Sequence, residues 1–325
     1  MTMHKTIILV SAVCGDIGCS AVRALRDSVD KIIGCDIQSN SPVIDLIDRF
    51  YVSPPALDRD NYINFLKKVF QKDSIGFFLP ISEYEIDVLN TRREELESTG
   101  VRLLLNNKEV LNNFLDKLKT AQYLNNIGIT APKTSLLCSY DGSFGFPVIV
   151  KARKGSGSKR LWTADNSTDL EYIKTKDDGG LIAQEMIGSA EEEYTTGVFS
   201  DGQAVSAITF RRRLGFGGLS VEAVLEDIPF LDNIARKISK ETGLTGSINI
   251  QSRRAGDIFI PYEINPRLSS TLLFRKKFGF DDAVWWLDAL MGKKHSYKMK
   301  YKSGIAKRSL TECYFDLQDI VNEDR

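Results

Sequence analysis

Residues 247–267 read SINIQSRRAGDIFIPYEINPR, and no other stretch of the chain says as much about its fold. Apolar residues alternate along both halves, which predicts two β-strands joined by a turn at Ala255-Gly256-Asp257. One face of this hairpin is apolar and carries Ile248, Ile250, Ile258, Ile260, Tyr262 and Ile264. The other face carries Asn249, Gln251, Glu263 and Asn265. Carboxylate and amide oxygens are ligands that Mg2+ takes when phosphates complete its shell, so the polar face predicts a magnesium site.

The register of this hairpin decides whether Asn249 belongs to that site. Cross-strand partners share a face, and a slip of one residue moves every side chain to the other face. Asn249 opposes Glu263 only if the turn has an odd number of residues or the strands contain a bulge. We predict a three-residue or five-residue turn centred on Gly256, with Gly256 or a neighbour at positive φ. Pro266 then ends the strand and places Arg267 to meet a phosphoryl group in transfer.

A second informative segment, FPVIVKARKGSGS, occupies residues 146–158. It predicts an apolar strand that delivers Lys151 and Arg153 to one face by the two-residue period. The glycines and serines that follow allow backbone N–H groups to approach an anion closely, and phosphate is the expected guest. The spacing does not match the P-loop pattern GxxxxGK[ST]. A flexible basic turn is the alternative for this segment taken alone.

A third segment, LIAQEMI at residues 181–187, predicts a mainly apolar strand that leads to the acidic run Glu191-Glu192-Glu193. We expect backbone groups of such a strand to hydrogen-bond a purine, and the Glu193 carboxylate to accept hydrogen bonds from ribose hydroxyls. An ordinary strand with a solvated acidic loop is the alternative. Further on, Arg211-Arg212-Arg213 suits an acceptor's carboxylate or phosphate, with exposed loop charge as the alternative.

Composition limits the classes of partner. Lys and Arg total 43 and Asp and Glu total 43, so no global basic field exists to hold nucleic acid or a membrane surface. No apolar run approaches the roughly 18 residues that a bilayer span needs. The start of the chain also lacks a signal-peptide pattern, so a cytoplasmic protein is expected. Five cysteines without a CxxC pair and only two histidines disfavour zinc sites and His-dependent triads.

The order of predicted elements divides the chain into three parts. Strands alternate with helices at first, which predicts a small doubly wound domain, and later strands come in hairpin pairs. We expect an α/β Rossmann-like domain at residues 1–106, a connecting helix and small lobe at 107–183, and a large lobe with the metal site at 184–325. A turn from Gly15 to Gly18, with Asp36 after the next strand, suggests a dinucleotide site but lacks the first glycine of GxGxxG.

Taken in order, these segments resemble the ATP-grasp superfamily, and most closely one synthetase unit of the carbamoyl-phosphate synthetase large subunit. The resemblance covers nearly the whole chain. It is carried by the Asp116-Lys117 helix, GITAP at residues 128–132, FPVIVKARKGSGS, AQEMI and EINPR. It implies a Rossmann-like N-terminal domain followed by a two-lobed α+β ATP-grasp domain, with ATP held between the lobes.

The resemblance also implies roles for single residues. Lys117 and Lys151 would contact the phosphates, which Gly155, Ser156, Gly157 and Ser158 would cover. Gln184, Glu185 and Met186 would frame adenine, and Glu193 would hold ribose, although Glu191 and Glu192 leave that position open. Glu263 and Asn265 would bind Mg2+, with Mn2+ as an alternative, and Asn249 stands where the family usually has a glutamine or a similar polar residue. Arg267 would meet the γ-phosphate or the acyl phosphate.

The implied activity is that of a stand-alone carboxylate-amine ligase. Mg-ATP would phosphorylate a carboxylate, and an amine would attack the acyl phosphate, with release of ADP and phosphate. Small-molecule acids and amines are the expected partners, without nucleic acid or membrane, and a homodimer is the expected assembly. Two alternatives stay open: a non-catalytic nucleotide-binding protein, and an NAD(P)-dependent oxidoreductase that uses the N-terminal glycine turn.

Overall fold

Three β-sheets organise the chain in a computed structural model that describes residues 5–155, 160–293, 297, 303–309 and 313. The first sheet is parallel, with strand order β3-β2-β1-β4-β5. Its elements are β1 (Ile7–Ser11), α1 (Asp16–Leu25), β2 (Lys31–Asp36), β3 (Arg49–Val52), α2 (Arg59–Lys72), β4 (Phe77–Leu79), α3 (Glu83–Glu97) and β5 (Arg102–Leu103). The central strands are buried on both faces, as in doubly wound sheets, which confirms the predicted Rossmann-like architecture.

Two helices lead from this domain into a small antiparallel sheet with strand order β6-β9-β7-β8. The elements are α4 (Lys108–Phe114), α5 (Lys117–Asn126), β6 (Thr134–Leu136), β7 (Val148–Ala152), β8 (Leu161–Ala164), α6 (Ser167–Lys174) and β9 (Leu181–Glu185). This sheet and α6 enclose a core of their own, which includes Leu137, Val148, Ile173 and Leu181. It forms the smaller wall of the site described below.

The third sheet is antiparallel, with strand order β14-β13-β10-β11-β12-β15. Its elements are β10 (Glu193–Asp201), β11 (Val205–Leu214), β12 (Ser220–Leu225), α7 (Pro229–Thr242), β13 (Thr245–Ala255), β14 (Ile258–Asn265), α8 (Leu272–Lys277), α9 (Asp282–Leu290) and β15 (Gly304–Lys307). Strands predicted to form hairpins are neighbours here, so the predicted α+β character of this half is confirmed. No helix in the described ranges is long and apolar enough to cross a bilayer.

The N-terminal sheet and the large antiparallel sheet share one hydrophobic core. Ile8 and Leu25 of the first domain belong to the same buried cluster as Phe210, Leu272 and Trp285 of the large sheet and its helices. Apolar burial is the main favourable term in folding, so the two units stabilise each other.

The turn of the β13–β14 hairpin differs from the prediction. β13 ends at Ala255 and β14 begins at Ile258, so only Gly256 and Asp257 connect them. The predicted three-residue or five-residue turn is wrong, whereas the positive φ of Gly256, 62°, is confirmed. A two-residue loop with glycine in the left-handed region is the commonest way to join antiparallel strands.

A β-bulge, rather than an odd turn, sets the register of the polar face. The pairing shifts between Gln251 and Ser252, so Gln251 opposes Glu263 and Asn249 opposes Asn265. The predicted pairing of Asn249 with Glu263 is therefore wrong by two positions, but the shared face is retained. The extra residue lies on β14, where bulges locally redirect side chains.

Candidate functional site

A cavity of about 510 Å³ opens between the three sheets. Each unit contributes to its lining: Tyr84 comes from α3, Lys151 from β7, Gln184 from β9 and Glu263 from β14. Its size and mixed polar and apolar lining are typical of a small-molecule site.

Local structure explains why two lysines meet in this cavity. Asp116 caps α5 by accepting from the backbone N–H groups of Leu118 and Lys119. Its carboxylate also accepts from Nε of Arg153 at 2.8 Å, and the backbone N–H of Lys117 donates to the carbonyl of Arg153. The start of α5 is thereby attached to the end of β7. Arg153 was predicted to share a face with Lys151, but it serves this attachment instead, because β7 ends at Ala152.

Lys117, Lys151 and Glu263 form a buried charged cluster. Oε2 of Glu263 lies 3.6 Å from Nζ of Lys151 and 4.0 Å from Nζ of Lys117. Burial lowers the pKa of Lys151 from 10.5 to about 8, which Glu263 opposes and Lys117 reinforces. Burial acts to raise the pKa of Glu263, but Lys117, Lys151 and Arg267 outweigh it and hold this pKa below its usual value. The cluster therefore places the Glu263 carboxylate, an oxygen ligand of the kind that binds metal ions, beside the ammonium groups of two lysines.

Gly155 brings the backbone close to this cluster. Its carbonyl accepts from Nζ of Lys117 at 2.7 Å, and its φ of 90° lies in the region that favours glycine. A Cβ at this position would lie 3.1 Å from the phenolic oxygen of Tyr84, so a side chain would be crowded as well as strained. The other predicted phosphate-covering residues, Ser156, Gly157 and Ser158, lie outside the described residues.

Strand β9 forms the wall predicted for adenine. Gln184 and Glu185 line the cavity and are held in place by contacts to β6 and the residue before it. Nε2 of Gln184 donates to Oγ1 of Thr134 at 3.0 Å, and Glu185 accepts from the backbone N–H of Lys133. Ile187 lines the cavity, whereas Met186 does not, because the regular alternation of β9 stops at Glu185.

Glu193 is buried, and its carboxylate accepts three hydrogen bonds from side chains of neighbouring strands. Oε1 accepts from Arg212 at 2.9 Å and from the Tyr262 hydroxyl at 2.6 Å, and Oε2 accepts from Arg253 at 3.0 Å. Burial acts to raise the pKa of Glu193, but these partners hold it below the usual value. Glu193 thus joins β10 to β11, β13 and β14, and it also lines the cavity, where the ribose contact stays a prediction.

Two neighbours of Glu193 differ from their predicted environments. Arg212, interpreted as an acceptor-binding or exposed loop residue, lies on β11, is 6% exposed and pairs with Glu193. Tyr262, assigned to the apolar face of the hairpin, lines the cavity because the bulge turns it toward the polar side. Its hydroxyl oxygen also lies 3.0 Å from Oε1 of Gln251.

The amide side chains on the polar face of the hairpin differ in their exposure and contacts. Asn249 is 1% exposed, and its Oδ1 accepts from Oγ1 of Thr195 at 2.8 Å. Its Nδ2 has no hydrogen-bond partner among the described residues, and Asn249 also lines the cavity. Gln251, directly across from Glu263, is more exposed and lines the cavity. Sequence reasoning placed Gln251 on this face but omitted it from the ligands.

Arg267 lies two residues past the end of β14. It is 9% exposed and lines the cavity. Its Nη2 contacts Oδ1 of Asn265 at 3.2 Å and Oε1 of Glu83 at 2.8 Å. Because Glu83 belongs to α3, the N-terminal domain takes part in the site. Sequence reasoning missed this contact, which joins residues far apart in the chain.

The turn from Gly15 to Gly18 in the N-terminal domain is held by hydrogen bonds and close packing within that domain. Both oxygens of Asp36 accept backbone N–H groups, from Cys14 and Gln38, each at 2.9 Å. A Cβ on Gly18 would lie 2.1 Å from the carbonyl oxygen of Ala12, so this glycine serves close packing of α1 on β1. Asp36 is 8% exposed, and its hydrogen bond from Cys14 holds the turn to the end of β2.

Comparisons with known proteins agree with this architecture. Residues 181–313 match the family described as ATP-grasp in the biosynthetic pathway with Ter operon, and residues 14–104 match the PylC-like N-terminal domain. The carbamoyl-phosphate synthase of Methanobrevibacter smithii is 23% identical over 264 residues, which cover 76% of this chain and 70% of that protein. The large chain from Streptomyces avermitilis is 25% identical over 280 residues, but the match covers only 24% of that protein.

Solved structures share the fold across nearly the whole chain. Biotin carboxylase from Campylobacter jejuni, in a β,γ-ATP complex, has a TM-score of 0.72 at 17% identity, covering 90% of this chain and 72% of that one. N5-carboxyaminoimidazole synthetase from Staphylococcus aureus, complexed with ADP, has a TM-score of 0.73 at 14% identity, covering 94% and 82%. The chain therefore has the ATP-grasp fold, and the segment that matches the PylC-like N-terminal domain precedes the segment that matches the ATP-grasp family.

Proposed function

We propose that this chain is an ADP-forming ligase that activates a carboxylate with Mg-ATP and couples it to an amine. The observation that carries the proposal is the buried cluster of Lys117, Lys151 and Glu263 at the centre of the cavity. Two cations beside a metal-type carboxylate suit a bound polyphosphate better than any other common ligand. The similarity to carbamoyl-phosphate synthases and the shared fold of two nucleotide-bound structures support the same proposal.

The donor set of the hairpin fits Mg2+. Glu263 supplies a carboxylate, and Gln251 and Asn265 supply amide oxygens on the same face. We propose these three residues as the metal-binding set, with Gln251 in place of Asn249. When bound, Mg2+ would draw phosphate oxygens together and offset the negative charge that phosphoryl transfer spreads over them.

The remaining residues divide between binding and transfer. Lys117 and Lys151 hold phosphate oxygens, Gly155 brings backbone over them, and Gln184 and Glu185 border the base. Arg267 offsets charge on the γ-phosphoryl group as it moves to the substrate carboxylate. The amine nitrogen then attacks the acyl carbon, the bond from that carbon to the phosphate oxygen breaks, and phosphate leaves as the amide forms and the amine gives up a proton. A water-excluding cavity protects that intermediate because acyl phosphates hydrolyse.

The test is a screen for ADP release from Mg-ATP across amino acids, dipeptides and sugar-linked carboxylates. Hydroxylamine added in place of the amine should trap the acyl phosphate as a hydroxamate. Carboxylate-dependent ADP release with hydroxamate formation supports the ligase. Mg-dependent ATP binding without turnover on any acid would favour a nucleotide-binding protein instead, and binding of NAD without binding of ATP would overturn the proposal.

A further inference from the structure

The first turn of α3 belongs to the N-terminal domain, yet it borders the nucleotide cavity. Three consecutive side chains there reach different partners. Tyr84 lines the cavity below Gly155, Glu83 contacts Arg267, and Glu85 turns inward to the domain core. The proposed function gives no role to this turn of α3.

Glu83 supplies the carboxylate partner of Arg267. Nη2 of Arg267 donates to Oε1 of Glu83 at 2.8 Å, and the two side chains are 10% and 8% exposed. The other described contacts of this guanidinium are neutral oxygens, the Leu268 carbonyl at 3.0 Å and Oδ1 of Asn265 at 3.2 Å. An ion pair shielded from water is weakened little by solvent or salt, so Glu83 restricts Arg267 strongly.

The turn that carries Glu83 is itself rigidly attached to the parallel sheet. Oε2 of Glu85 accepts from Oγ of Ser11 at 2.7 Å and from the backbone N–H of Ser82 at 2.9 Å. Oε1 of Glu85 accepts from the Tyr62 hydroxyl at 2.7 Å. Ser11 ends β1, the central strand, so the position of Glu83 is fixed by the core of its domain.

We propose that Glu83 is a positioning residue that holds the Arg267 guanidinium toward the phosphoryl group during transfer. The inference rests on the proposed function, because that function assigns Arg267 its role. An arginine fixed in advance loses less side-chain freedom when charge develops next to it, and such preorganised contacts act mainly on the transition state. Loss of Glu83 should therefore weaken binding of a transition-state mimic more than binding of the nucleotide.

The experiment compares Mg-ADP with Mg-ADP plus aluminium fluoride, a stand-in for the phosphoryl group in transfer, by calorimetric titration of the full chain. In Glu83→Ala we expect Mg-ADP affinity within about twofold of wild type and a loss of about tenfold or more for the fluoride complex. Glu83→Gln keeps an acceptor oxygen and should lose less. Glu94→Ala, an exposed change on the same helix, is the matched control and should alter neither affinity.

The outcomes separate the two proposals. Equal losses for Mg-ADP and the fluoride complex in Glu83→Ala would indicate a merely structural role and overturn the inference. If Arg267→Ala loses the fluoride complex but Glu83→Ala retains it, the positioning role is wrong while the proposed function stands. If wild type does not bind Mg-ADP, or gains no affinity from aluminium fluoride, the proposed phosphoryl-transfer role fails and the inference fails with it.

Discussion

At the scale of single residues, Lys151 carries the clearest expectation for nucleotide binding. Its ammonium group is buried beside Glu263, and its strand is otherwise apolar, so removing it changes charge without removing a surface contact. A charge-assisted hydrogen bond contributes about 1.5–3 kcal/mol, and Lys151→Ala should therefore weaken Mg-ATP binding by about tenfold to a hundredfold. Calorimetric titration measures this. Lys68→Ala, an exposed lysine on α2, is the control, and equal affinities in both variants would exclude a phosphate contact at Lys151.

The lowered pKa of Lys151 predicts a pH dependence of binding. Below its pKa of about 8 the side chain is charged and attracts phosphates, and above it the free protein loses that charge. Bound phosphates raise the pKa again, so binding takes up a proton above pH 8 and weakens by at most about tenfold per pH unit. Lys151→Arg stays charged and should bind with little change between pH 7 and 9.5. A wild-type affinity equally flat across this range would contradict the assigned pKa and its role.

Residues near each other in the sequence were predictable, and residues joined only by the fold were not. Lys151, Glu263 and Asn265 follow from alternation along their own strands. Glu193 does not, because its partners Arg212 and Arg253 come from two other strands, and only the sheet order brings them together. An acidic run before a strand predicts a solvated carboxylate until such partners are known.

At the scale of elements, the β13–β14 hairpin has the predicted polar face but not the predicted register between its strands. Alternation within each strand fixed the polar face, but the turn length and the bulge depend on contacts between strands. The bulge turns Tyr262 into the cavity, where it contacts Glu193 and Gln251. One residue in the sequence indicates the bulge. Pro261 lies inside β14 and has no backbone N–H to donate to the neighbouring strand, a feature typical of bulges and edge strands.

This register predicts which amide assists the metal. Both amides line the cavity, but Gln251 directly opposes Glu263 and is more exposed, whereas Asn249 opposes Asn265 and is 1% exposed. Gln251→Ala should therefore raise the Mg2+ concentration for half-maximal ATP binding by about tenfold, within the range seen for residues that support a metal site. Asn249→Ala should raise it much less, although it leaves the Thr195 hydroxyl without its acceptor. Titration of Mg2+ at fixed ATP compares the two, and the reverse ranking would return Asn249 to the site.

At the scale of the whole molecule, the hydrophobic cores do not follow the three parts predicted from the sequence. We still propose the limits 1–106, 107–183 and 184–325, although the second limit falls inside β9, a strand of the small sheet. The first and third parts nevertheless share a cluster that joins Ile8 and Leu25 to Phe210 and Trp285. The small sheet has a separate core. Sequence patterns show which residues are apolar, but they do not show that two parts of the chain bury those residues against each other.

Shared burial predicts that the first and third parts unfold together, whereas the small sheet opens by itself. Leu25 is fully buried in the shared cluster at the end of α1, so Leu25→Ala should cost about 2–5 kcal/mol. Amide exchange in native protein reports such openings segment by segment. Exchange followed by mass spectrometry should therefore accelerate tenfold or more in β1 and, to the same extent, in β10 and β11, while β7 and β9 keep their wild-type rates. Lys68→Ala should change none of these. Acceleration confined to residues 1–106 would mean that the N-terminal domain opens alone and that the shared core does not couple it to the large sheet.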